Sequence, residues 1–170
     1  MAVFLVALLA AACGGGNRGE PAGPPLPTPV ASLSAELQGT LALLRNALAA
    51  AGYRLDAPRV PYRPSEPAGL TEVPRTVAQV ASADPDVGFV VVYQLPDDAA
   101  AAAATQDLAS YLGSGFGQTN YPLDAQFSVA QVGSTVVFTW LSRDRAGDPD
   151  GSQGAFDVIR TVGRQVPVEG

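Results

Sequence analysis

The sequence predicts an α+β domain, an antiparallel sheet of four to five strands with helices packed on it in the order α-β-β-α-β-β-α. Three observations lead there. Gly88 to Leu95, GFVVVYQL, is a run of β-branched and aromatic residues between turn formers, apolar on both faces and so a central strand with cover on each side. Two β-rich hairpins can be read, one ending in that strand and one at 126–141. Stretches with helical spacing of apolar residues stand before, between and after the hairpins, the arrangement expected of helices laid on a sheet.

Taken in order, Ser32 or Ser34 caps a first helix in which Leu33, Leu37, Leu41, Leu44 and Leu48 form one apolar stripe, Glu36, Arg45 and Asn46 a solvated face, and Gly52 the end. Tyr53 to Leu55 offers a short edge strand, the optional fifth. Pro58 to Pro74 holds prolines at 58, 61, 64, 67 and 74, which predicts an irregular wrap over the surface. Its Arg59, Tyr62, Arg63, Glu66 and Glu72 could line a groove, and the simpler expectation is solvent.

Thr76 to Ala81 is the next strand, with Asp84-Pro85-Asp86-Val87-Gly88 as its hairpin loop. Asp97 caps a helix from Asp98 to Leu112, whose alanine run favours helix and whose Leu108, Tyr111 and Leu112 form the packing end. Gly113-Ser114-Gly115-Phe116-Gly117 stops it. This glycine-rich run follows a helix C-terminus, where the dipole repels anions, so it does not read as a phosphate loop. Gln126 to Val132, a turn at Gly133-Ser134, and Thr135 to Leu141 make the second hairpin, with Val136, Phe138 and Trp140 on one face and Trp140 as a core anchor. A final helix from Ala155 to Val166 lines up Ala155, Ile159, Val162 and Val166 before Pro167. Val77-Ala78-Gln79-Val80 recurs as Val129-Ala130-Gln131-Val132, a hint of two duplicated ββα units.

Composition narrows the chemistry. The chain has no His, and its ten basic residues are all Arg. Without Lys a P-loop, a Schiff base and a Ser-Lys dyad are excluded; without His so are Ser-His and Cys-His catalysis and the usual His-containing zinc and iron sites. A net charge of -6 argues against nucleic acid and against an electrostatic grip on anionic lipid. Carboxylates, hydroxyls, Tyr and Arg remain, enough for glycoside hydrolysis or Ca²⁺ binding. No cofactor is implied.

One loop resembles an EF-hand Ca²⁺ loop: Asp148, Asp150, Gly151 and Asp157 fall at its third, fifth, sixth and twelfth positions. The first position is Ala146, Gln153 stands at the eighth, Pro149 intrudes and no helix precedes. A solvated loop in which Asp150 or Ser152 caps the final helix is the favoured reading. Asp97-Asp98 at a helix start and Asp84-Asp86 at a turn likewise have structural reasons to be there.

The N-terminus runs apolar from Ala2 to Leu9, continues Ala10-Ala11-Ala12-Cys13, and then reads GGGNRGEPAGPPLPTP from Gly14 to Pro29. This resembles the signal sequence of a bacterial lipoprotein, in which small residues precede a Cys that is lipidated on sulfur and becomes the new N-terminus. Cys13 matches that Cys, and Ala11 and Ala12 match the small residues. Ala10 stands where the family usually has Leu, and no Lys or Arg precedes the apolar run, which suggests a true start codon upstream of Met1. Ala10-x-Ala12 also satisfies the cleavage rule of an ordinary secretory signal, a reading that would leave an unpaired thiol outside the cell. The resemblance implies a signal peptide at 1–12 and a lipidated Cys13; composition makes 13–30 a Gly/Pro-rich tether behind that Cys, and length leaves 31–170 as a single domain. The resemblance also implies anchoring at the extracytoplasmic face of a bacterial cell membrane. The expected act is non-catalytic binding of an envelope protein or envelope component. The alternatives are a small-molecule carrier with an apolar pocket and a carboxylate-based hydrolase of cell-envelope glycans.

Overall fold

Alternation of side chains and the register of pairing decide where everything else sits. The computed structural model describes residues 33–62, 66–81 and 87–169. Among them, strands β1 (Leu55–Asp56), β2 (Arg75–Val80), β3 (Phe89–Gln94), β4 (Gln126–Val132), β5 (Thr135–Leu141) and β6 (Arg164–Val166) form one sheet in the order β1-β2-β3-β5-β4-β6. All neighbours are antiparallel. The α+β class and antiparallel sheet therefore hold, with six strands rather than four or five. β3 and β5 are the central pair, Val91 opposite Phe138 and Tyr93 opposite Val136.

Because neighbours across an antiparallel pair share a face, one side of the sheet is aromatic, carrying Phe89, Tyr93, Phe127, Phe138 and Trp140. The other is aliphatic, carrying Val80, Val90, Val92, Val137 and Leu141. Helix α1 (Ala35–Ala50) lies on the aliphatic face. Its Leu37, Leu41, Leu44 and Leu48 are buried, and Thr40 Oγ1 meets Thr135 Oγ1 at 2.8 Å. Ser34, not Ser32, accepts the capping bond from the Leu37 N–H; Ser32 lies outside the described residues. Leu33 precedes the helix and is exposed.

Helix α3 (Asp98–Gly113), capped by Asp97 as expected, covers the aromatic face, where the Gln131 amide donates to the Asp98 carbonyl at 2.8 Å. Helix α5 (Pro149–Ile159) covers the aliphatic face, with Ala155, Phe156 and Ile159 against Val80, Thr139 and Leu141. Handedness explains the split. The β3-α3-β4 and β5-α5-β6 crossovers each join parallel strands and step the same way across the sheet. β3 and β5 run in opposite directions, so two right-handed crossovers deliver their helices to opposite faces. The Val-Ala-Gln-Val repeat marks equivalent strands, but the ββα units around it are not equivalent.

Three expectations need correction. The last helix begins at Pro149 and ends at Ile159, and Arg164–Val166 is an edge strand. Pro149 is pre-set for the first helical position, and Gly163, at φ +79°, turns the chain back with its Cα against the Gln131 carbonyl of β4. The glycine run after α3 carries one more turn, α4 (Gly115–Gln118), capped by Ser114. The proline-rich segment contains a helical turn, α2 (Ala68–Thr71), with Leu70 buried. Residues 82–86, with the Asp84-Pro85-Asp86 part of the first hairpin loop, lie outside the described residues.

Candidate functional site

Two places carry chemistry that the packing does not use up. The first lies on the aromatic face under the proline-rich segment. The Arg59 N–H donates to Gln79 Oε1 at 3.0 Å and Gln79 Nε2 donates to the Val87 carbonyl at 3.0 Å, pinning the segment to β2. The Tyr62 ring tilts against Phe89, centroids 5.4 Å apart. Glu66 is then driven inward: its side chain is 1% exposed, and its Oε1 accepts from Tyr93 Oη at 2.9 Å and pairs with Arg75 Nη1 at 3.1 Å. This overturns the expectation that Tyr62 and Glu66 are solvated, because a tyrosine in the middle of a dry strand needs a partner for its hydroxyl.

Burial holds the Tyr93 proton far above the usual phenol range, reinforced by Tyr62 and Glu66 beside it, and burial raises Tyr62 as well. Both phenols keep their protons throughout the physiological range. Glu66 Oε2 and Tyr62 Oη are buried with no hydrogen-bond partner among the described residues. Arg75, 26% exposed, connects this set to solvent. Tyr121 extends the aromatic floor, packed edge-on against Phe127, Phe138 and Trp140 with centroids 4.9, 6.3 and 5.5 Å away. Trp140 is buried there, as the anchor reading expects.

The second place is open. At the β4 edge a groove of about 580 Å³ is lined by Gln118, Phe127, Ser128, Arg160, Gln165 and Val168, among others. The Leu95 N–H bonds to the Ser134 carbonyl, so the backbone groups of Thr135 point to β4. By alternation Val132, Ala130, Ser128 and Gln126 face β5, while Gln131, Val129 and Phe127 face outward. β6 covers only Val129 to Gln131. Beyond it the chain turns off toward α3, where a Cβ at Gly113 would collide with the Glu169 carbonyl. The N–H and C=O of Phe127 consequently have no backbone partner among the described residues. Arg160 makes no ion pair among them and stands 5.9 Å from the Phe156 ring centroid.

The carboxylates proposed for Ca²⁺ are placed in separate roles. Asp148, rather than Asp150 or Ser152, caps α5 through the Gly151 N–H at 3.0 Å; Asp150 pairs with Arg143 at 2.9 Å; and Asp157 accepts from Gln153 Nε2 at 3.1 Å. Among the described residues no group of three His, Cys, Asp or Glu is placed to hold a metal ion. Asp124, just before β4, has a similar structural role and holds the turn that follows β5, accepting from Ser142 Oγ at 2.8 and 3.0 Å and from the Asp144 N–H at 3.0 Å. Those bonds, the backbone one first, hold its carboxyl below the ordinary value of 3.8. Cys13, the proposed lipidation residue, and Arg63 lie outside the described residues. No described helix is long and apolar enough to cross a membrane. The chain matches no protein-family model, no curated protein and no solved structure.

Sequence reasoning missed Glu66 and the Phe127 edge. The signal for Glu66 was present, since Tyr93 is flanked by Val91 and Leu95 on a strand with two apolar faces. The open edge depends on where β6 stops, and the helical spacing of Ile159, Val162 and Val166 conceals β6.

Proposed function

We propose that this chain is a lipid-anchored extracytoplasmic binding module, held by Cys13 at the membrane surface and carried off it by the Gly/Pro-rich stretch. The observation behind the anchor is the sequence Ala11-Ala12-Cys13 followed by Gly14 to Pro29, after which the first described helix opens at Ala35. Two acyl chains suffice for stable anchoring, at about 0.8 kcal/mol per buried methylene.

Binding is favoured over catalysis because the open groove offers backbone hydrogen-bonding groups and one arginine and has no carboxylate in its lining. A glycoside hydrolase needs two carboxylates across one cleft. Glu66 is instead engaged by Tyr93 and Arg75, and Asp97 and Asp148 cap helices. The carrier reading requires an enclosed apolar space of roughly 300 Å³ or more; among the described residues, the apolar cavity between α5 and the sheet holds about 10 Å³.

Intact-mass measurement of the protein extracted in mild detergent from its native cells tests the anchor. A mass beginning at Cys13 with diacylglycerol and acyl additions is expected. A bare mass beginning at Cys13 means a freely secreted domain, and extra retained mass points to the carrier.

A further inference from the structure

The open stretch of β4 is a half-finished sheet edge. We infer that it binds an extended acidic peptide segment, which adds to the sheet beyond β6 and pairs with Phe127. The inference rests on the binding-module reading but is independent of the lipid.

Four features support it. First, the Phe127 N–H and C=O both point out of the sheet without a backbone partner among the described residues, and an unpaired donor and acceptor on one residue match the backbone of an antiparallel strand. The Ala125 N–H is already bonded to the Pro122 carbonyl, so the edge accepts a short segment rather than a long strand. Second, natural edges are commonly blunted by charge, proline or a bulge. Gln126, Phe127 and Ser128 bring no such device, and β4 keeps an unbroken register with β5 over its full length.

Third, the groove carries one formal charge, Arg160, in a chain of net charge -6. Arg160 closes α5 on the aliphatic side. In a peptide paired at Phe127, the residue next to the pairing one points to that side, so the complementary side chain is a carboxylate there. Fourth, two large apolar residues close in sequence to lining residues are exposed: Phe116 at 75%, its ring edge-on to Tyr111 at 6.2 Å, and Leu123, fully exposed two positions before Ala125. They suit the apolar residues of an alternating strand, whose backbone provides affinity and whose side chains provide selection.

The test uses the full chain, ¹⁵N-labelled and in detergent, with acetyl-Thr-Val-Glu-Val-amide as the probe at millimolar concentration. Amide hydrogen exchange at Phe127 is expected to slow by about ten-fold or more on peptide addition, with shifts confined to the groove. The same peptide N-methylated at its backbone should give no protection. Replacing its Glu by Gln, or making Arg160→Gln in the protein, should each weaken apparent affinity by about five-fold, the scale of one partly exposed ion pair. Unchanged exchange at Phe127 overturns the inference, as does equal binding of the N-methylated peptide. Protection of Phe127 that grows with protein concentration alone also overturns it, because the edge then serves a second copy of this chain. A bare Cys13 mass, by contrast, removes the anchor and leaves the peptide result standing.

Discussion

The four residues Val-Ala-Gln-Val end the first strand of both hairpins, and the two copies live in different surroundings. In β2, Gln79 is 1% exposed and joins the proline-rich segment to the Val87 carbonyl. In β4, Gln131 occupies the corresponding place on the same face, yet its amide serves the Asp98 and Gly133 carbonyls at the surface and its oxygen accepts from Arg164. Identical residues thus specify the strand and its facing, while the covering segment decides what the glutamine does. One half of the sheet has Tyr62 against Phe89 and Glu66 buried on Tyr93 and Arg75. The other is finished by a three-residue edge strand that stops short of Phe127.

That contrast can be broken. Removing the carboxylate from the sealed half, Glu66→Ala, should give the largest loss, about 3–5 kcal/mol in a urea melt, because Tyr93 and Arg75 lose their shared acceptor. Gln79→Ala should follow at about 2–3 kcal/mol, leaving the Arg59 N–H and the Val87 carbonyl unsatisfied. The matched Gln131→Ala should cost less than about 1 kcal/mol, since water reaches its partners. Equal losses for the two glutamines would erase the distinction between the halves.

The smallest effect belongs to Asp124, on the open half. Its folded-state pKa is depressed, so its contribution is present above the unfolded value, near 3.8, and is lost as pH falls through the lower folded one. Stability should therefore show a decline below about pH 4 that is reduced in Asp124→Asn. An unchanged acid limb in the variant would assign that decline to other carboxylates.

Much of the sheet was readable from local chemistry. Gln126–Val132, Gly133-Ser134 and Thr135–Leu141 fall where alternation and a two-residue turn put them. The leucine stripe of α1 and the Asp97 cap are local too, needing no knowledge of what they pack against. The misreadings share a different cause. Ile159, Val162 and Val166 keep helical spacing, but Gly163 interrupts the helix because β4 leaves an edge for Arg164–Val166 to pair with, a long-range gain that spacing cannot show. Glu66 reads as a surface charge because its partners, Tyr93 and Arg75, lie on β3 and β2, where only the tertiary fold brings it to them. The candidate site was less legible than the fold for the same reason: an unpaired backbone edge is defined by what fails to cover it.

The central pairing has a consequence for how the chain reaches this state. Val91 and Phe138 meet only after α3, α4 and β4 have been traversed, so neither hairpin can template the middle of the sheet by zipping outward from its own turn. Two hairpins formed early must find each other across a long closure, which places folding in the roughly millisecond-to-second regime of non-local β topologies. Until they do, the most apolar strand edges in the molecule, those of β3 and β5, are its stickiest surfaces. Dilution or slow release from denaturant should therefore raise refolding yield more than any change made to the finished exterior.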